Sequence, residues 1–188
     1  MNAIQPKTFK HWWNIKFLHN TTFSGQDRKS FSIYRSRQEI GKVDIWYFEE
    51  DGRFAGYAII TPGKKQVLIN YIAVAASMRG KHKSKEILAF LQETYAGRGL
   101  FAEVDYISPT TLHRQEKERR RNFYLTNGFT QLGVTATYVD TDLELVGLDC
   151  PMTFESYYRF YAENYNLYTA TCIGPCKAAQ THQDAVYD

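Results

Sequence analysis

A basic loop between a predicted strand and a predicted helix carries the clearest chemistry in this sequence. Residues 79–85 read Arg-Gly-Lys-His-Lys-Ser-Lys, shortly after an apolar run that ends at Val74. The first amides of a helix have no intrahelical partner, and the helix dipole places partial positive charge beside them. Such amides, supplemented by nearby cations, bind phosphate groups. The sequence therefore predicts a site for a phosphorylated ligand at this loop.

This loop does not follow two common phosphate-binding patterns. The Gly-x-x-x-x-Gly-Lys-Ser/Thr pattern of P-loops is absent, and so is the Gly-x-Gly-x-x-Gly pattern of dinucleotide-binding folds. A solvated basic turn is the alternative interpretation, because short lysine-rich runs often have no ligand. The position of the run between strand and helix favours a phosphate site.

Composition and charge restrict the class of protein. The chain has 188 residues and a net charge of +3, which is too mild to indicate nucleic-acid binding by itself. No apolar run is long enough to span a bilayer, and no secretory signal is apparent. The three cysteines suit a reducing compartment, so we expect a cytoplasmic protein. We expect one domain over residues 1–168 and a loosely ordered tail over 169–188.

Hydrophobic spacing and turn residues predict an α/β fold. A first helix is predicted over 9–18, and residues 27–38 form either a second short helix or a loop. Strands and helices then alternate. The predicted strands are 44–49, 54–60, 66–74, 100–106, 130–138 and 143–150. The predicted helices start at about Ser84 and cover 114–127 and 153–165.

Three segments resemble the GNAT N-acetyltransferases. The loop Arg79–Ser84, which follows the strand ending Ile72-Ala73-Val74, is similar to the family pattern Arg/Gln-Gly-x-Gly-x-Gly/Ala. The segment Asn122–Phe129 resembles the family signature Phe-Tyr-x-x-x-Gly-Phe, and Ala102–Asp105 resembles its Leu-Glu-Val-Glu strand. The resemblance covers roughly residues 1–150. It implies a mixed, mostly antiparallel sheet with a parallel, splayed pair of strands at the cofactor cleft, flanked by helices and followed by a C-terminal helix.

The family's activity is transfer of an acetyl group from acetyl-CoA to a primary amine of a small molecule or peptide. The resemblance implies direct attack of the amine on the thioester, without a metal, and an oxyanion stabilised by a backbone N–H near Val74. It places the pantetheine along the strand end and the pyrophosphate on the loop. The implied cofactor-binding residues are Ile72, Ala73, Val74, Arg79, Gly80, Lys81, His82, Lys83, Ser84 and Phe123.

Two positions of the loop differ from the usual residues of the family pattern. His82 stands where the family usually has its second glycine, and Ser84 where a third small residue is expected. Glycine there lets the backbone approach the pyrophosphate without a Cβ in the way. We expect His82 to keep a helix-compatible backbone and to point outward.

Three residues are candidates for catalysis. The resemblance implies that Tyr124 protonates the leaving thiolate; a core aromatic is the alternative. Glu103 and Asp105 share one face of a strand, and we favour Glu103 as general base through a water. The alternative for both carboxylates is ion pairing with arginines of the following helix. An acidic pair in the cleft would favour a cationic acceptor.

Other interpretations of the sequence remain open. The chain could be a catalytically weak acyl-CoA-binding or regulatory module, because His82 replaces a glycine. Residues 114–121 could bind nucleic acid, although mixed charges at helical spacing favour a solvated helix face.

Cys172 and Cys176 lack metal-ligand spacing, and we expect a loose tail there. We expect no nucleic-acid partner and no membrane partner, and the sequence leaves a monomer and a homodimer both open. Most of a set of aromatics are expected in the core: Trp12, Trp13, Tyr34, Trp46 and Tyr57.

Overall fold

The computed structural model describes residues 1–23, 30–109 and 111–177, and these contain eight strands and six α-helices. The strands are β1 (Asn2–Ile4), β2 (Asp44–Glu50), β3 (Arg53–Pro62), β4 (Gln66–Val74), β5 (Gly99–Asp105), β6 (Thr130–Tyr138), β7 (Thr141–Leu148) and β8 (Ile173–Pro175). The helices are α1 (Phe9–Thr22), α2 (Phe31–Glu39), α3 (Lys83–Thr94), α4 (Arg114–Leu125), α5 (Phe154–Asn164) and α6 (Leu167–Thr171). No helix in these ranges is long and apolar enough to cross a membrane.

The strands form a mixed, mostly antiparallel open sheet in the order β1-β2-β3-β4-β5-β7-β6-β8. The pair β4–β5 is parallel, as a strand–helix–strand crossover requires. This confirms the predicted fold class. The β2–β3 hairpin turns at Asp51 and Gly52, which both have positive φ (49° and 71°), the geometry for which an Asp-Gly pair is selected.

Most predicted elements agree with the structure to within a few residues. Three elements were missed, namely β1, α6 and β8, and each has five residues or fewer. Of the uncertain segment 27–38, residues 27–29 lie outside the described residues, and the rest is mostly α2. In the predicted tail, residues 169–177 include the end of α6 and strand β8, which pairs antiparallel with β6. Residues 178–188 lie outside the described residues.

The chain divides into two compact units. The first comprises Met1–Pro62 and Ile69–Ala96, and the second comprises Gly63–Leu68 and Gly97–Asp188. The core of the first unit contains α1 and α2 side chains packed on β2 and β3. The core of the second is built largely from β5, β6, β7 and the aromatic face of α5. Each unit therefore has its own hydrophobic core.

Candidate functional site

The end of β4 in the first unit is held close to β3. A Cβ added at Gly56 would collide with the carbonyl oxygen of Ala73 and lie 3.1 Å from Cδ1 of Ile87 in α3. The amide of Ala75 donates to the carbonyl of Ala55 at 2.9 Å, just beyond the strand. Gly56 thus lets the backbone of β4 and the first turns of α3 approach β3 more closely than any other residue would allow.

The last residues of strand β4 are partly accessible to solvent. Ile72 and Val74 are half-buried, while Ala73 between them is buried. Side chains two apart lie on one face of a strand, so Ile72 and Val74 share a face that the core does not cover completely. These are the positions that the sequence resemblance implies for pantetheine.

The loop after β4 contains two residues with a left-handed backbone. Gly80 has φ +75°, with open space around the position of a Cβ, and His82 has φ +55°. The expectation of a helix-compatible backbone at His82 is therefore wrong. His82 is exposed, and it adopts the conformation for which the family's glycine is suited. A histidine can occupy this region, at a cost in backbone energy.

The amides at the start of α3 are available to an acceptor. The carbonyl of His82 accepts from the amides of Lys85 and Glu86, at 3.0 and 3.2 Å. Within the described residues, the amides from Gly80 to Ser84 make no backbone hydrogen bond. Because this stretch is largely exposed, it fits a phosphate group that accepts from several amides at once.

The basic residues of the loop fall into two groups. Lys83 is mostly buried, and its Nζ lies 2.6 Å from Oε1 of Glu50 and 2.7 Å from Oε1 of Glu86. The hydrogen bond from Lys83 lowers the pKa of Glu50, and the same bond raises the pKa of Lys83. Lys83 therefore ties the start of α3 to the end of β2. Arg79, Lys81 and Lys85 are exposed.

Tyr124 lies in the second unit, near the end of α4. It is 7% exposed, and its ring is 5.2 Å from the rings of both Phe123 and Phe129. Burial raises the pKa of Tyr124 well above its usual value, and the charge of Arg120 opposes that shift weakly. The hydroxyl therefore stays protonated throughout the working pH range of an enzyme.

Glu103 on β5 is held by two tyrosines of α5. Its Oε1 accepts hydrogen bonds from the hydroxyls of Tyr157, at 2.8 Å, and Tyr161, at 2.5 Å. Both tyrosines are fully buried, and burial followed by the charge of Glu103 raises their pKa well above the usual value. The helix over 153–165 was predicted, but nothing in the sequence identifies Glu103 as the partner of its tyrosines.

Asp105, two residues further along β5, is paired with α4. Its two carboxylate oxygens lie 2.9 Å from Nζ of Lys117 and 3.5 Å from a guanidinium nitrogen of Arg120. This is the ion pairing with the next helix that was the alternative to a catalytic role. Arg121 lies 3.5 Å from Glu144. Several charges of the 114–121 segment are thus used within the second unit.

Most of the remaining aromatics and cysteines are structural. Tyr34 and Tyr57 are fully buried, and the hydroxyl of Tyr57 is hydrogen-bonded to Nδ1 of His19 at 2.6 Å. Trp46 donates to the hydroxyl of Tyr95 at 3.1 Å, whereas Trp13 is largely exposed. None of the three cysteines, which all lie in the described part of the chain, is in a disulfide bond. No cluster of metal-binding side chains occurs in the described parts of the chain.

The mixed sheet with its parallel β4–β5 pair, and the basic loop between β4 and α3, are features of a GNAT-type fold. Residues 41–131 match the family model described as an acetyltransferase (GNAT) domain. Residues 41–131 therefore carry a GNAT acetyltransferase domain, as the sequence resemblance predicted. The family match supports acyl transfer as the class of reaction. Comparison with curated protein sequences gives no match.

Solved structures share this fold. A protein from Bacteroides thetaiotaomicron assigned to the GNAT family is 18% identical, with a TM-score of 0.71 over 88% of this chain and 99% of its own. The ribosomal-protein-S18-alanine N-acetyltransferase of Escherichia coli is 16% identical, with a TM-score of 0.58 over 82% and 96%. A GNAT acetyltransferase from Elizabethkingia anophelis, solved with acetyl-CoA bound, is 11% identical, with a TM-score of 0.56 over 79% and 97%.

Proposed function

We propose that this protein transfers an acetyl group from acetyl-CoA to a primary amine of a small molecule or peptide. The observation that carries the proposal is the loop Gly80–Ser84, whose amides are available at the start of α3 within a GNAT domain. Exposed Arg79, Lys81 and Lys85 add positive charge around the same loop. The pyrophosphate of acetyl-CoA would accept hydrogen bonds from these amides.

The pantetheine would lie against the end of β4. Ile72 and Val74 share a partly uncovered face, and a backbone N–H near Val74 is the proposed donor to the oxyanion of the tetrahedral intermediate. Gly56 supports this arrangement, because its missing Cβ leaves room for the carbonyl of Ala73 beside β3. The proposed contribution of β4 is therefore made by its backbone groups, and it does not require particular side chains.

Tyr124 is proposed to stabilise the leaving thiolate. A thiol has an ordinary pKa of about 8.5 and a tyrosine about 10, so full proton transfer from tyrosine to thiolate costs at least about 2 kcal/mol. Burial raises the pKa of Tyr124, and it would also raise the pKa of a thiol buried beside it, so the order of the two ordinary values is retained. We therefore propose that Tyr124 donates a hydrogen bond to the sulfur while negative charge develops there, in place of the proton transfer that the resemblance implied.

Glu103 remains the proposed general base, acting on the amine through a water. The hydrogen bonds from both tyrosines of α5 go to Oε1 of its carboxylate, so they orient the group without using Oε2. Asp105, by contrast, uses both oxygens in ion pairs. Glu103→Gln should lower kcat by a factor of about 100 to 10,000. Asp105→Asn is the matched control, and it should affect stability more than kcat.

The test of the loop is binding of acetyl-CoA to charge variants. Isothermal titration of Lys81→Ala/Lys85→Ala should show weaker binding than the wild type, because two cations beside the pyrophosphate are lost. The matched control is Lys64→Ala/Lys65→Ala, which removes two exposed lysines from the β3–β4 turn. Equal affinities for both double variants would overturn the assignment of the loop.

A catalytically weak acyl-CoA-binding module is the second candidate function. It is favoured by His82 in the place of a glycine and by the pairing of Lys83 with two carboxylates, since both reduce what the loop offers a phosphate. A thiol-release assay with acetyl-CoA and a panel of amines separates the two candidates. Binding without turnover across small amines, polyamines and peptides would favour the module.

A further inference from the structure

Helix α1 is apolar on two opposite sides. One side places Ile15 and Leu18 in the core of the first unit. The other side exposes Phe9, Trp13 and Phe17, which are 84%, 55% and 56% accessible. Residues four apart lie one above the other on a helix, so these three form a single exposed aromatic row. The core covers only the first of these sides, and an exposed apolar patch is a typical sign of an interaction site, so the aromatic row calls for a partner.

The surface around the aromatic row is cationic. At about 100° per residue, Lys10 and Lys16 flank the row on its two sides, and both are exposed. Lys7 lies just before the helix and is also exposed. The first 26 residues contain no aspartate or glutamate. Rings in the middle with lysines at both edges are typical of helices that lie in the interface of an anionic bilayer.

We propose that the aromatic row docks this protein onto an anionic phospholipid membrane, with α1 lying in the plane of the interface. Tryptophan and phenylalanine rings would enter the headgroup region, and the flanking lysines would pair with lipid phosphates and carboxylates. The expectation of no membrane partner rested on the missing membrane-spanning segment, which does not bear on a helix lying on the surface. The inference does not depend on acetyl transfer.

A second copy of the chain fits the aromatic row less well. A whole aromatic side chain has a surface of about 150–250 Å². The exposed fractions of the three side chains in the row therefore amount to about 300–500 Å² in total. A stable interface needs about 800 Å² from each partner. A twofold contact would also place the same lysines opposite each other without acids to pair with them.

Single-stranded nucleic acid is also disfavoured. The rings of Trp13 and Phe17 are stacked on each other, with centroids 5.3 Å apart and planes 8° apart. One face of each ring is therefore already covered, and a base has only the outer faces on which to stack. Both alternatives predict outcomes that the membrane experiment distinguishes.

The experiment measures co-sedimentation of the full chain with lipid vesicles. We expect binding to mixed phosphatidylserine–phosphatidylcholine vesicles, little binding to phosphatidylcholine alone, and release by salt. The triple variant Phe9→Ser/Trp13→Ser/Phe17→Ser should lose binding by about tenfold or more. Lys10→Glu/Lys16→Glu should lose the preference for anionic vesicles. Circular dichroism and binding of acetyl-CoA confirm that each variant is folded.

Two controls make the result specific to the aromatic row. Leu167→Ser/Tyr168→Ser removes exposed apolar side chains from α6 and should leave vesicle binding unchanged. Trp13→Phe should retain binding but lose the membrane-induced blue shift of tryptophan fluorescence. The proposal is overturned if anionic vesicles do not bind the wild type, or if the triple variant binds equally well. It is also overturned if the triple variant instead abolishes a dimer seen by light scattering or salt-sensitive binding to oligothymidine.

Discussion

The left-handed backbone of His82 makes a sharp prediction about stability. Left-handed φ and ψ cost a residue with a Cβ roughly 1–2 kcal/mol, and glycine avoids that cost. Glycine also adds roughly 0.5–1 kcal/mol of backbone entropy to the unfolded state. No side-chain cap hydrogen bond is lost, because His82 makes none at the start of α3. His82→Gly should therefore stabilise the protein by about 0.5–1 kcal/mol, although glycine substitutions on an exposed surface usually destabilise.

Variants at two preceding residues of the loop serve as controls for the predicted direction of this stability change. Lys81 does not have positive φ, so Lys81→Gly should destabilise by about 0.5–1 kcal/mol. Gly80 has φ +75°, so Gly80→Ala should destabilise by about 1 kcal/mol, although open space surrounds its Cβ position. Thermal unfolding detects these changes as shifts of about 2–4 °C per kcal/mol in a chain of this size. If His82→Gly and Lys81→Gly destabilise equally, the assigned backbone at His82 is wrong.

The remaining predictions concern the close approach of β4 to Gly56, the ion pair between Glu50 and Lys83, and the role of Tyr124. Gly56→Ala should weaken acetyl-CoA binding and lower the melting temperature, because its Cβ displaces the carbonyl of Ala73; unchanged titrations would refute the close approach. Glu50→Gln should lower the melting temperature at neutral pH. Since the pKa of Glu50 is lowered in the folded state, its contribution exists above about pH 4 and fades as the pH falls, so the two melting curves should converge in acid. Tyr124→Phe keeps the ring packing but removes the donor to the sulfur, so it should reduce kcat by about a hundredfold or more with little change in KM, whereas an unchanged kcat would leave Tyr124 structural.

Much of the sheet could be predicted from sequence because its strands are long enough to show their pattern. The Asp51-Gly52 pair predicted the turn between β2 and β3, and the apolar run at 66–74 predicted the bounds of β4. Strands β1 and β8 have three residues each, too few for any periodicity to be recognised. Their place in the sheet depends on pairing with β2 and β6, which is a tertiary property.

In the candidate site, the position of the loop could be predicted from the sequence, whereas its backbone geometry and its long-range contacts could not. The position of the loop before α3 was predictable, because strand, glycine and helix follow one another in sequence. The left-handed backbone of His82 was not, since histidine gives no signal for positive φ. Nor was the pairing of Lys83 with Glu50, which are 33 residues apart, or that of Glu103 with the tyrosines of α5. Those contacts are set by how elements pack.

The central claim is that the amides between Gly80 and Ser84 receive the pyrophosphate of acetyl-CoA. Hydrogen–deuterium exchange of the whole protein, with and without saturating coenzyme A, tests it most directly. We predict that these amides, exposed in the free protein, become protected in the complex, together with backbone near Val74. Binding that leaves the exchange of residues 80–84 unchanged would contradict the claim.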